Sequence, residues 1–274
     1  MKASIALSHI LLLAASAAAA VTRGHGLAAR MAARAEMTRL THPKIPAVDV
    51  DADELANRTN VDYSSNWSGG VLTAPPSGTT FTSVTAQFTV PKPSLPSGAT
   101  QDSYASAWVG IDGDTYTAAI LQTGLDFGIS TSGQVTYDAW YEWYPDYAYD
   151  FSGIDISTGD DVRITVTSTS NKAGSAVIEN LTNCQSVSQS LNAPSSTATL
   201  GGQNSEWIVE DFDSNGAQVS FANFGQVAFT NAAAGTADGG SVGTSGVDLL
   251  DISQNGKVST SASVPSDSEV LVKY

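Results

Sequence analysis

Histidine is almost missing from this 274-residue chain: His9, His25 and His42 are the only three, and none follows Val61. A Ser-His-Asp or Cys-His mechanism needs an imidazole base, and the usual zinc hydrolase sites need histidine ligands. Neither chemistry has its parts in the body of the chain. The G-x-S-x-G match at 239–243 therefore reads as a glycine-rich loop and not as a nucleophile elbow. Cysteine is scarcer still: Cys184 stands alone, so no intramolecular disulfide can form, and a small, partly buried apolar role is expected for it. No D-T-G or D-S-G triplet occurs, which leaves a pepsin-like aspartate pair without a home. Residues 211–216 open like a calcium loop, but the twelfth position is Ala222 where a bidentate Glu belongs, so they read as a turn. Neither a metal nor another cofactor is expected.

Positive charge is the other shortage. Twelve Lys and Arg face 27 Asp and Glu, a net charge of −15. Beyond Val61 only Lys92, Arg163, Lys172, Lys257 and Lys273 remain, against twenty-two acidic residues. Phosphate backbones and anionic lipid surfaces are bound by cationic patches, so nucleic acid and membrane partners are excluded. A body with so few cations carries little net charge once its carboxylates protonate, which limits self-repulsion in acid. The cations that do occur sit early. Residues 1–20, with Lys2, an apolar run and Ala18-Ala19-Ala20, read as a secretory signal peptide. Residues 21–61 carry Arg23, Arg30, Arg34, Arg39, Lys44 and Arg58 and read as a basic propeptide covering an acidic body, to be loosened by acid. Residues 62–274 are long enough for one domain. The protein is expected outside the cell and as a monomer. Asn66-Trp-Ser68 and Asn180-Leu-Thr182 are glycosylation sequons for a eukaryotic host.

What is abundant is β-structure. Val, Ile, Thr, Tyr and Phe alternate with Ser, Thr and Asp in short runs at 82–91, 106–111, 119–128, 135–144, 161–169, 175–182, 206–212, 218–225 and 269–274. After Val61 no window sustains a helical period. The expected fold is all-β, a sandwich of two antiparallel sheets with one concave face that forms a cleft. Alternation assigns side chains to faces. Trp108, Gly110 and Asp112 share one side of their run; so do Ile120, Gln122, Gly124 and Asp126; Asp138, Trp140, Glu142 and Tyr144; and Glu206, Ile208 and Glu210. A face that mixes Trp with Asp, Glu and Gln fits neither a dry core nor an ordinary wet surface.

The blocks "SNWSGG" (65–70), "FTVP" (88–91), "AWVGIDGD" (107–114), "AILQTGLDF" (119–127), "YDAWYEWYPD" (137–146) and "EWIVEDF" (206–212) together resemble the glutamic peptidases, the eqolisins, in order and spacing. The resemblance implies a secreted acid endopeptidase made as a proenzyme, with a catalytic Gln and Glu on a concave sheet. Carried over by motif, these are Gln122 and Glu210, while Trp67, Trp108, Asp112, Asp126, Asp138, Trp140 and Glu142 would support the site or touch a polypeptide substrate. Fungal members pair two cysteines where Tyr116 and Gly201 stand here. Glu206 shares the parity of Glu210, and only the family register separates them. Two rivals remain: a lectin-like or glycoside-hydrolysing sandwich using Glu142 and Glu210, and a serine-carboxyl peptidase suggested by "GTS" at 243–245, a fold for which this chain is too short.

Overall fold

In Asp161–Ser170 the apolar Val162, Ile164 and Val166 alternate with polar residues, and these three are buried while their neighbours face outward. Phe81–Thr89 and Ala173–Asn180 follow the same rule. A strand with one apolar face must bury it against another layer, and these strands build one sheet of a sandwich. In the computed structural model, residues 38–48, 50 and 61–274 are described. They lie in a compact unit spanning Met37–Tyr274. The expected signal peptide, and the propeptide up to residue 37, lie outside the described residues.

The back sheet runs, edge to edge, Gln185–Asn192, Ala173–Asn180, Asp161–Ser170, Phe81–Thr89, Gln226–Thr236, Glu269–Lys273 and Ser261–Ser266. The front sheet runs Lys257–Val258, Asp248–Gln254, Trp67–Leu72, Ser205–Glu210, Ser103–Ile111, Ile120–Ile129, Val135–Tyr144 and Tyr149–Asp150. Its neighbours along that path pair antiparallel, and Val61–Ser64 adds in parallel beside Asp248–Gln254. Between the sheets lies a core of Val84, Phe88, Val162, Ile164, Val166 and Phe229 from the back and Val109, Leu121, Leu125, Phe127 and Val209 from the front. A second cluster, Trp67, Val71, Trp108, Ile120, Trp140, Ile208 and Leu250, lies apart from it. It forms on the far side of the front sheet, as the alternation predicts. All ten residues of Ile120–Ile129 are buried, because this strand is covered on both faces.

The structure departs from the expected strands where composition misleads. The run expected over 218–225 is broken into Ala217–Gln218 and Ser220–Phe221, and the long strand is Gln226–Thr236. Its alanines carry little strand preference but fit against the opposite sheet. Gln185–Asn192 is mostly polar, an edge strand in which only Val187 and Leu191 are apolar and half-buried against the core. Cys184 is exposed, contrary to expectation, because it turns the hairpin between Ala173–Asn180 and Gln185–Asn192 with φ of 61°. Both sequon asparagines are buried. Asn180 Nδ2 donates to Asp155 O and Asp160 Oδ2, each at 2.8 Å, so it is committed inside the fold. Residues 211–216 include a turn at Asn215-Gly216, both with positive φ, joining Asp213–Ser214 to Ala217–Gln218.

Candidate active site

Cross-strand register turns the four parity sets into three rows on the front sheet. Glu206, Gly110, Gln122 and Glu142 form the first; Ile208, Trp108, Gly124 and Trp140 the second; Glu210, Ser106, Asp126 and Asp138 the third. Each row contains one small residue, and that is what lets large side chains lie across the sheet. A Cβ on Gly124 would sit 2.5 Å from Trp108 Cβ and 2.3 Å from Ala107 O. One on Gly110 would sit 2.9 Å from Trp108 Cζ3 and 3.4 Å from both Gln122 Cβ and Glu206 Oε2. The Trp108 indole therefore reaches from the third row to the first. Its Nε1–H donates to Glu210 Oε2 at 2.9 Å, and its other edge lies over Gly110 beside Gln122. Trp67 packs on Trp108 edge to face at 4.9 Å.

The carboxylates differ sharply in support. Glu210 accepts from Trp108 Nε1 and, at 3.3 Å, from Asn66 Nδ2. Burial nevertheless pushes its pKa well above the ordinary value; Arg39 opposes this, Glu142 adds to it, and the Trp108 bond and the His42 backbone pull back. Burial lifts Glu142 to about 8 against the attraction of Arg39 and the Thr41 hydrogen bonds. Glu206 is raised well above its ordinary value by burial and then by Asp112 and Asp114, and neither of its oxygens has a hydrogen-bond partner. A buried carboxylate with no donor is held neutral. Of the two glutamates that share parity, only Glu210 has donors that stabilise an anion. Gln122 is fully buried, and neither amide atom has a partner.

Residues 38–47 lie on this face. Arg39 Nε pairs with Asp126 Oδ2 at 2.8 Å, its Nη2 donates to Ser106 Oγ at 3.1 Å, and its guanidinium stacks 3.8 Å from the Trp140 ring. The Thr41 N–H donates to Glu142 Oε2 at 3.4 Å, His42 Nε2 contacts Asp213 Oδ2 at 3.0 Å, and Lys44 pairs with Asp114. Asn66 ties the segment down, taking the Ile45 N–H on Oδ1 at 3.0 Å while its Nδ2 holds Glu210. The three tryptophans owe their full burial to this cover together with their packing on one another.

The expected site residues Trp67, Trp108, Gln122, Asp126, Asp138, Trp140, Glu142 and Glu210 all fall on one face. Asp112 lies on it too but is spent elsewhere. Its carboxylate accepts the N–H groups of Gly201, Gly202, Gln203 and Asn204 at 2.7–3.3 Å, an anchor for the loop at the end of the face. Asn204 answers by accepting from the N–H groups of Asp114, Thr115 and Tyr116. The Tyr116 ring lies against Gly201, so the two positions where fungal relatives were expected to carry cysteines are in contact here through an aromatic ring. Asn66 and Asn204 escaped the sequence reading as site residues, although Asn66 stands inside the "SNWSGG" block. Among the described residues, no group of three or more His, Cys, Asp or Glu is placed to hold a metal ion.

The chain is similar to known proteins in sequence and in fold. Residues 65–274 match the Peptidase A4 family. The chain is 46% identical over 291 aligned positions to aspergillopepsin-2 of Aspergillus niger, covering 100% of both chains. It is 39% identical to scytalidopepsin B of Scytalidium lignicola, covering 92% of each. A crystal structure of scytalido-glutamic peptidase with a transition state analog inhibitor superposes with a TM-score of 0.66 at 41% identity, over 77% of this chain and 98% of that one.

Proposed function

The chain belongs to the peptidase A4 family, the glutamic peptidases, and from that premise we propose that it is a secreted acid endopeptidase in which Glu210 activates water and Gln122 holds the oxyanion. One observation carries the assignment of roles. On the buried face Glu210 is the glutamate with side-chain donors on both oxygens, and Gln122 is a carboxamide with neither amide atom used.

The chemistry follows from those two groups. The Glu210 carboxylate takes a proton from a water as that water bonds to the scissile carbonyl carbon. The carbonyl oxygen becomes an anion and accepts from Gln122 Nε2–H, a donor that does not titrate in acid. Glu210 then passes its proton to the departing nitrogen, the C–N bond breaks, and an acid and an amine leave. A raised pKa suits the second step, because a proton held firmly by Glu210 is available as a general acid over a wide acidic range. Trp108 keeps the carboxylate aimed and forms the floor beneath the scissile bond.

Residues 38–47 act as the inhibitory stretch of a propeptide. They cover the face with two cations, Arg39 on Asp126 and Lys44 on Asp114, and with the His42 ring against Asp213. Acid neutralises carboxylates and so loosens a cover held by cation–carboxylate pairs, which unmasks the enzyme where acid also suits it. Membership of a peptidase family removes the sugar-cleaving rival. Incubation across an acidic pH series, with denatured protein and with a polysaccharide, tests the function. Release of peptides is expected, and cleavage of the polysaccharide alone overturns the reading.

A further inference from the structure

One buried acid on the front sheet has no part in the scheme above. Glu206 is fully buried, both of its oxygens lack a hydrogen-bond partner, and it stands in the same row as Gln122 with only Gly110 between them. Gly110 has no side chain to block the path. Glu206 Oε2 and Gln122 Cβ each lie 3.4 Å from the point where a Gly110 Cβ would be. The Gln122 carboxamide, whose oxygen also lacks a partner, is thus within reach of the Glu206 carboxyl over the glycine.

We propose that Glu206 is a positioning residue for Gln122: from across Gly110 its carboxyl donates to the carboxamide oxygen, directly or through one water, and leaves the Nε2–H turned toward the substrate. The proposal rests on Gln122 being the oxyanion donor. An unrestrained carboxamide is free to flip and present its oxygen, which repels an oxyanion, so fixing its orientation matters to the rate. Only a protonated carboxyl can donate to that oxygen. Burial and the neighbouring Asp112 and Asp114 keep the proton on Glu206. Glu142 flanks Gln122 on the other side, where it faces Thr41 and Arg39 of the covering segment. Glu206 lies on the opposite flank from those contacts.

The test compares Glu206→Leu with Glu206→Gln in the acid-processed full chain, measuring kcat, KM and the thermal midpoint on a peptide substrate. A packing role predicts a leucine variant that is as fast as the parent, since it exchanges an unpartnered acid for an apolar group of similar size. A positioning role predicts an undiminished thermal midpoint, a KM within about threefold and a kcat lower by on the order of 10–100-fold. Glu206→Gln should keep kcat within about threefold, because its Nε2–H can donate to the same oxygen. Parental kcat in the leucine variant, or a glutamine variant as slow as leucine, overturns the proposal. Should Glu206→Leu not fold, Glu206→Met makes the same comparison. An inactive Glu206→Gln alongside an active Glu210→Gln has a different meaning: Glu206 is then the base, and the proposed function of Glu210 fails with the positioning role.

Discussion

Asp211→Asn isolates the acid preference of the fold from its chemistry. Asp211 is 3% exposed, and its Oδ2 accepts from Gln254 Nε2 at 2.7 Å. Burial lifts its pKa from 3.8 to about 7, the Gln254 bond opposes this, and Asp213 adds to it. The folded state therefore binds this proton more tightly than the unfolded chain does. The stability it confers is complete below about pH 4 and falls as pH rises, until it is gone once the pH has passed about 7. A shift of roughly three units at 1.36 kcal/mol each amounts to about 4 kcal/mol. Asparagine keeps an acceptor for Gln254 and cannot ionise. Denaturant unfolding of the processed enzyme at pH 3.5, 5.5 and 7.5, values bracketing that window, should give parent and variant stabilities that agree at the lowest pH. The variant should lead by up to about 4 kcal/mol at the highest. Parallel pH dependences for the two proteins would refute the reasoning.

Two further predictions concern the cover and the floor of the site. Arg39→Ala removes the cation from Asp126 and Trp140 and, by the usual cost of halving a buried pair, weakens the segment's hold by about 3–5 kcal/mol. The full chain should then gain peptidase activity at a higher pH than the parent does, read by incubating both across a pH series. Gly124→Ala places a methyl 2.3 Å from Ala107 O and 2.5 Å from Trp108 Cβ, contacts on backbone and on the root of a buried side chain that cannot yield. A loss of about 3 kcal/mol or more is expected in denaturant unfolding, and an unchanged midpoint would contradict the packing described.

The face that carries the site was legible because strand alternation is rigid. Gln122, Asp126, Trp108, Trp140, Glu142 and Glu210 were sorted to one side before any register was known, and the pairing only lined the sets up. The order of the strands was not legible, since Trp67–Leu72 enters beside Ser205–Glu210 from more than a hundred residues away. Polarity also misled in places. Gln185–Asn192 hides as a strand because Val187 and Leu191 are its only apolar residues, and Gln226–Thr236 because alanine marks no strand on its own. Asp112 read as a support or a substrate contact, and the four N–H donors it holds sit on a loop some ninety residues away, which sequence spacing does not reveal. The early segment was legible as basic by charge alone. That Arg39 would be the residue between Asp126 and Trp140 required the fold.

The central claim is that Glu210 and Gln122 perform the hydrolysis, and turnover by purified Glu210→Gln and Gln122→Ala measures it most directly. Both variants should fold with an unchanged circular dichroism spectrum. Each should lose on the order of 10²–10³ or more in kcat on a peptide substrate in acid, the scale of a missing base or oxyanion donor. Turnover within about tenfold of the parent in either variant, a loss too small for such a group, would contradict the account.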